Sequence, residues 1–166
     1  MRIVCDTGPI LHLFEAGLLN LLHQAGNISI PSTVHAELIE LIQPSWEKQK
    51  PQWIHIDPLS AHESAEAKSF SLAGLLDYAE AETVILARRL RADWLLTDDT
   101  AARILASSLG IEVHGSLGVV LWSAAVGHVD FDEAQNAIEQ LSKTSLWISK
   151  NILIEARIAL TKMFDK

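Results

Sequence analysis

The sequence predicts an α/β fold, a central and mostly parallel sheet with helices on both faces. Three observations lead there. Short runs rich in β-branched residues alternate along the chain with longer stretches of helical periodicity. At 166 residues and 49% hydrophobic content, the chain can bury one sizeable core and is expected to form a single domain over 1–166. Acids follow two of the apolar runs directly, as they do where open α/β sheets bind ligands at the carboxyl ends of their strands.

Element by element, Ile3 to Cys5 reads as a strand. A helix follows from about Pro9, with a kink near Gly17 and a second helical stretch through Leu18–Leu22 to Gly26. Ile28 to Pro31 is a short strand, after which Ser32 or Thr33 is expected to cap a helix with the apolar stripe Val34, Leu38, Leu41 and Ile42, stopping before Pro44. The segment from Gln43 to Gln52 is the most loop-like. Trp46 within it reads as ordinary packing, with substrate contact as the alternative. Trp53 to Ile56 is a third strand between two prolines. Helices from about Ala61 to Leu72 and Leu76 to Arg91 precede the strand Trp94 to Thr97. A helix to Leu109 closed by Gly110, a short strand Ile111 to Val113 and a helix opened by Gly115 come next. Amphipathic helices from about Phe131 and Ile148 form a C-terminal helical extension from about residue 129.

Five carboxylates form the chemically informative set: Asp6 after the first strand, Glu37 and Glu80 on helices, and Asp98 and Asp99 after the strand ending at Thr97. The two strand-end sites lie about ninety residues apart in sequence. Converging acids repel, so a cation should hold them, and a hard divalent ion, Mg²⁺ or Mn²⁺, suits an all-oxygen set without a cysteine or histidine group. At 100° per residue, Glu37 falls beside Val34 and Leu41 at the rim of the apolar stripe while Glu40 lies outside it. The same wheel leaves Glu80 and Glu82 equivalent. In the helix after Thr97, Asp98 projects with Ala102, Leu105 and Leu109, and Asp99 projects toward Arg103 four residues on. For each acid alone, a helix cap or a solvated surface position is the commoner role; only the five together point to a bound cation.

The formal charge of −8 argues against a broad electrostatic nucleic-acid binder. It leaves room for a nuclease whose acids surround metal ions, with Arg88, Arg89, Arg91 and Arg103 as a small phosphate-facing patch or as plain surface charge. The single cysteine, Cys5, forbids an internal disulfide and reads as a buried strand residue. No apolar run approaches the ~18 residues of a membrane span, and charge interrupts the start before a signal-peptide core, so a cytoplasmic location with no membrane partner is expected.

These residues resemble the PIN-domain family, the ribonuclease fold found in VapC-type toxins of toxin–antitoxin pairs, and in particular a longer branch with extra C-terminal helices. Val4-Cys5-Asp6-Thr7-Gly8-Pro9-Ile10-Leu11 is similar to the family's first-strand motif, and Val34-His35-Ala36-Glu37-Leu38 to its second acidic motif. Leu76 to Ala87 resembles the helix bearing the third acid; matching Ala87 to the family's small residue selects Glu80. Leu95-Leu96-Thr97-Asp98-Asp99 resembles the last motif, and Gly115 to Val119 the turn and helix after it. Three departures stand out: Ala79 where the branch often has Gly, Glu80 where many toxins have Asp, and Gly8 where a small hydroxyl residue is usual.

The resemblance implies a three-layer PIN-like fold and metal-assisted hydrolysis of RNA. Asp6, Glu80, Asp98 and Asp99 would be metal ligands, Glu37 a further catalytic acid, and Thr7 and Arg103 substrate-side groups. One cation held by Asp6 and the acids after Thr97 would activate a water, and a second would stabilise the leaving 3′ oxygen. The family's Thr-x-Asp spacing selects Asp99, whereas the wheel aims Asp98 inward. An antitoxin protein and a homodimer built on Leu18 to Leu22 are further expectations. A catalytically silent PIN-like module that binds RNA or protein is the rival reading. A haloacid-dehalogenase-type phosphatase needs a second Asp at position 8, which is Gly8, and a response-regulator receiver needs an N-terminal acidic pair and a late lysine in an arrangement this chain lacks.

Overall fold

The computed structural model describes residues 1–43 and 45–165; Pro44, where the helix was expected to have ended, and Lys166 lie outside them. Strand β1 (Arg2–Cys5) leads into α1 (Thr7–Glu15) and α2 (Asn20–Ala25). Strand β2 (Asn27–Ile30) is followed by α3 (Ser32–Ile42) and the short α4 (Ser45–Gln49), then β3 (Ile54–Ile56), α5 (Ala61–Leu72) and α6 (Tyr78–Leu90). Strand β4 (Trp94–Leu96), α7 (Thr100–Ser108), β5 (Val113–His114) and α8 (Ser116–Ala125) precede α9 (Phe131–Leu141) and α10 (Lys150–Phe164). Among the described residues, no helix is long and apolar enough to cross a membrane.

All five strands run parallel in the order β3-β2-β1-β4-β5. The period-2 alternation of strand side chains divides the core into two layers. Ile3, Cys5, Trp94 and Leu96 face a cluster with Leu13, Val34 and Leu38, while Val4 and Leu95 face one with Val84, Ile85 and Leu86. Strands buried on both faces explain why these runs read as continuously apolar. The chain lays β2 and β3 on one side of β1, then crosses to lay β4 and β5 on the other. That reversal opens a crevice at the carboxyl ends of β1 and β4, where Asp6, Asp98 and Asp99 follow directly.

Several local expectations change. Gly17, at φ +71°, ends the first helical stretch outright instead of kinking it. Leu21 and Leu22 are buried, and the partly exposed Leu18 and Leu19 pack on the core. Pro31 takes the cap position of α3, and Thr33 donates its hydroxyl to Glu82 instead. Leu41 is 58% exposed, so Val34, Leu38 and Ile42 alone form the buried stripe. The loop-like segment contains α4, and its Trp46 is fully buried, donating Nε1–H to His35 Nδ1 at 3.2 Å and meeting Phe14 edge-on. The last strand starts two residues later than expected, at Val113, paired with Leu95. Arg88 and Arg89 on α6 are tied to Glu66 and Glu63 of α5 at 2.5 and 3.0 Å, and Arg91 forms the left-handed cap of α6. Arg88 and Arg89 are therefore paired surface charges, the alternative to a phosphate-facing role, while Arg103 lies apart from them on α7.

Candidate active site

Every helix that points an acid into the crevice begins or passes there for a local reason. Asp6 caps α1: Oδ1 accepts the Thr7 N–H at 2.8 Å. Its Oδ2 accepts the Thr97 hydroxyl at 3.0 Å, and the same hydroxyl oxygen accepts the Asp99 N–H at 3.2 Å. Buried Thr97 thus links the ends of β1 and β4. Asp99 in turn caps α7, accepting Ala102 N–H at 2.8 Å. Asp77 and Glu80 form a reciprocal capping box at the start of α6, with bonds of 2.9 and 3.0 Å. Glu37, half-buried on α3, accepts the hydroxyl of Thr7. Glu82, which the helical wheel could not separate from Glu80, is buried elsewhere against Thr33 and Ser64.

Asp98 behaves differently from the expectation that it projects from the helix face with Ala102 and Leu105. It lies before α7 begins, and both its oxygens are occupied. Oδ1 accepts the Ser116 N–H at 2.8 Å; Oδ2 accepts the Ser116 hydroxyl at 2.5 Å and meets His12 Nδ1 at 2.7 Å. A Cβ on Gly115 would stand 2.6 Å from Asp98 Oδ1 and 3.0 Å from Arg103 Nη1, so this turn requires glycine for close approach. Arg103 leans back to the Thr97 carbonyl at 3.4 Å and lines an adjoining cavity rather than this one.

All five predicted acids line one cavity of about 410 Å³, together with Thr7, His12, Asp77, Ser145 and Trp147. No lysine or arginine is among its described lining residues. Burial raises the Asp6 carboxyl to about 6 against the bonds from Thr7 and Thr97, with the Asp77 and Glu37 charges adding to the rise. Glu80 rises to about 7, first through desolvation and then through Asp77, Asp99 and Asp6, against the bond from Asp77. Asp98 moves the other way: burial opposes its charge, but the bonds from His12 and Ser116 outweigh it and hold the carboxyl low.

Sequence reasoning missed Asp77 and His12 as members of this cavity. Asp77 was legible: an Asp three residues before Glu80 at a helix start is a capping-box pattern that places the two side chains together. His12 lies one turn after Gly8 on α1, but its partner Asp98 is 86 residues away, and only the fold joins them.

The donor set suits a hard divalent cation. It consists of carboxylates, the one lining histidine is engaged by Asp98, and Cys5 is sealed in the core. Capping uses one oxygen each of Asp77, Glu80 and Asp99. Among the described residues, however, no three acidic, histidine or cysteine side chains are gathered in a ready ligand shell, so a cation would draw them together.

The raised acids make a stability prediction. Folding holds the Asp6 and Glu80 protons more tightly than the unfolded chain does, so stability is present below about pH 4 and lost as pH rises through about 6 and 7. For buried Asp6 the loss is on the order of 3 kcal/mol. In a chelator, Asp6→Asn should melt several degrees above wild type at pH 8, and the gain should vanish by about pH 4. A gain that is independent of pH, read by calorimetric melts across this range, would contradict the charge argument.

A family model described as a PIN domain matches residues 2–162. No curated protein and no solved structure matches the chain. The five-stranded parallel sheet between helical layers, with acids gathered at its crevice, agrees with that match, and the chain belongs to the PIN-domain family.

Proposed function

We propose that the cavity is the active site of a divalent-metal-dependent ribonuclease. PIN domains are generally nucleases that use divalent metals, and the observation that carries the reading is six carboxylates on one cavity whose described lining has no lysine or arginine. A bound Mg²⁺ or Mn²⁺ would supply Lewis acidity and an activated water for phosphodiester hydrolysis. Asp6, Glu80 and Asp99 are the natural ligands, since each reaches the cavity from a fixed helix start. Glu37 lines the cavity beside Thr7 and accepts its hydroxyl, which directs that donor at the carboxylate.

Asp98 is recast as a positioning residue. With both oxygens engaged, it ties the start of α8 and His12 of α1 to the end of β4 and keeps the crevice walls in register. The silent-module reading draws on the lack of a ready ligand shell among the described residues. The two readings separate in one assay of purified protein on single-stranded RNA with Mg²⁺ or Mn²⁺. Asp6→Asn, Glu80→Gln and Asp99→Asn should each lower cleavage at least ~100-fold while the proteins stay folded. Asp98→Asn should bind metal normally and lose activity through a loosened site. Undiminished cleavage by folded Asp6→Asn removes the assignment; no cleavage by wild type favours the silent module.

We further propose that the nuclease works in a reducing, cytoplasmic compartment and is restrained as VapC-type toxins are, by an antitoxin protein that places a cationic side chain among the acids. Strong induction of the wild-type gene alone should arrest growth, and Asp6→Asn should relieve the arrest. Equal growth of both strains speaks against the toxin role and leaves the nuclease assignment standing.

A further inference from the structure

Beside the acid cavity lies a second one of about 460 Å³, and Asp98, Leu146 and Trp147 line both. Its remaining wall is mainly apolar, from Leu117, Leu121 and Ile148, with Arg103 at one side. Trp147 is 82% exposed, against 6% for Trp94 and 0% for Trp46. The Trp147 indole therefore stands free for contact where the two cavities meet. The chain that carries it is fastened. Ser145 is held to Glu15 of α1 by its N–H at 2.8 Å and its hydroxyl at 2.8 and 3.0 Å, Leu146 and Ile148 pack on the core, and Ser149 caps α10.

Charge narrows what the occupant can be. The protein carries 21 acids against 13 lysines and arginines, and Arg88 and Arg89 are spent on ion pairs. An RNA strand approaching six carboxylates gains little from bulk electrostatics, so its affinity must come from elsewhere. Base stacking on an aromatic face tolerates any sequence and is strong enough to supply it. Arg103, the one arginine or lysine in the described lining of the same cavity, offers a complementary charge for the phosphate or base edge next along the strand.

Resting on the ribonuclease reading above, we infer that Trp147 and Arg103 form a nucleotide subsite: a base of the single-stranded RNA substrate stacks on Trp147 in the second cavity while the adjoining phosphate enters the acid cavity. The C-terminal extension thereby becomes a substrate platform, its strap between α9 and α10 dividing the two chambers.

The test titrates wild-type protein with an oligoadenylate of about 8 nucleotides, in Ca²⁺, following tryptophan emission, alongside a base-free ribose-phosphate strand of equal length. Cleavage constants are measured in parallel with Mg²⁺. Saturable quenching by the oligoadenylate and none by the base-free strand is expected. Trp147→Ala should bind about tenfold more weakly and lose about tenfold in kcat/KM, carried by KM, while Trp147→Phe stays near wild type. Arg103→Gln should weaken binding and flatten its salt dependence by about one phosphate contact.

Wild-type binding and cleavage by Trp147→Ala would overturn the subsite and leave the nuclease intact. Equal quenching by the base-free strand, or concentration-dependent quenching without RNA from a second copy seated on Trp147, would also overturn it. If wild type fails to cleave but shows the Trp147-dependent quenching, the nuclease reading falls and the RNA subsite stands. Neither cleavage nor quenching overturns both.

Discussion

Like-charged carboxylates gathered at the ends of β1 and β4 are the constraint on which the rest of the structure turns. They keep their places because neutral donors grip them: the Thr97 hydroxyl between Asp6 and the Asp99 backbone, Thr7 on Glu37, and the helix-start N–H groups that Asp6, Asp77 and Asp99 accept. The bonds from the helix-start N–H groups also satisfy backbone donors that would otherwise be orphaned, so they serve both folding and charge placement. The grip is incomplete. Asp6 and Glu80 are pushed up toward neutrality, which shows that burial and mutual repulsion exceed what those bonds return. A divalent cation, as proposed above, would reverse this balance.

The sheet explains why the acids meet at all. With β1 central and the chain crossing over it once, residues from both halves converge at a single crevice, and the α9–α10 strap lines its flank. Asp98 is the fastening on that flank. Because Ser116 and His12 hold it ionised, it resists the protonation that burial imposes on Asp6, and the absence of a Cβ at Gly115 lets it sit close enough to do so. Both adjacent aspartates line the cavity, but Asp98 has both oxygens engaged by Ser116 and His12 whereas Asp99 uses one to cap α7.

Much of this was legible in the sequence, for reasons that can be named. The assignments of β1 and β4 rest on strands that are buried on both faces and read as apolar runs, and Glu37 was placed correctly relative to Glu40 because α3 is regular through that point. Legibility failed where a helical wheel was extended past the helix. Asp98 lies before α7 starts, so its predicted face had no meaning, and Leu109 is 44% exposed rather than inward. Leu41 failed because α3 presents a narrow stripe to the sheet. Thr33 failed because a distant acid, Glu82, outcompeted the local cap. The pairing of His12 with Asp98, and the strap that sets Trp147 between two cavities, join residues remote in sequence that carry no local pattern.

The central claim is that these carboxylates share a hard cation, and a crystal of the protein soaked in Mn²⁺ tests it most directly. The account predicts an anomalous peak in the crevice with oxygens of Asp6 and of Glu80 or Asp99 at ~2.1 Å, and with Asp98 still bonded to Ser116 and His12. A peak coordinated chiefly by Asp98, or none in the crevice at saturating Mn²⁺, would contradict it.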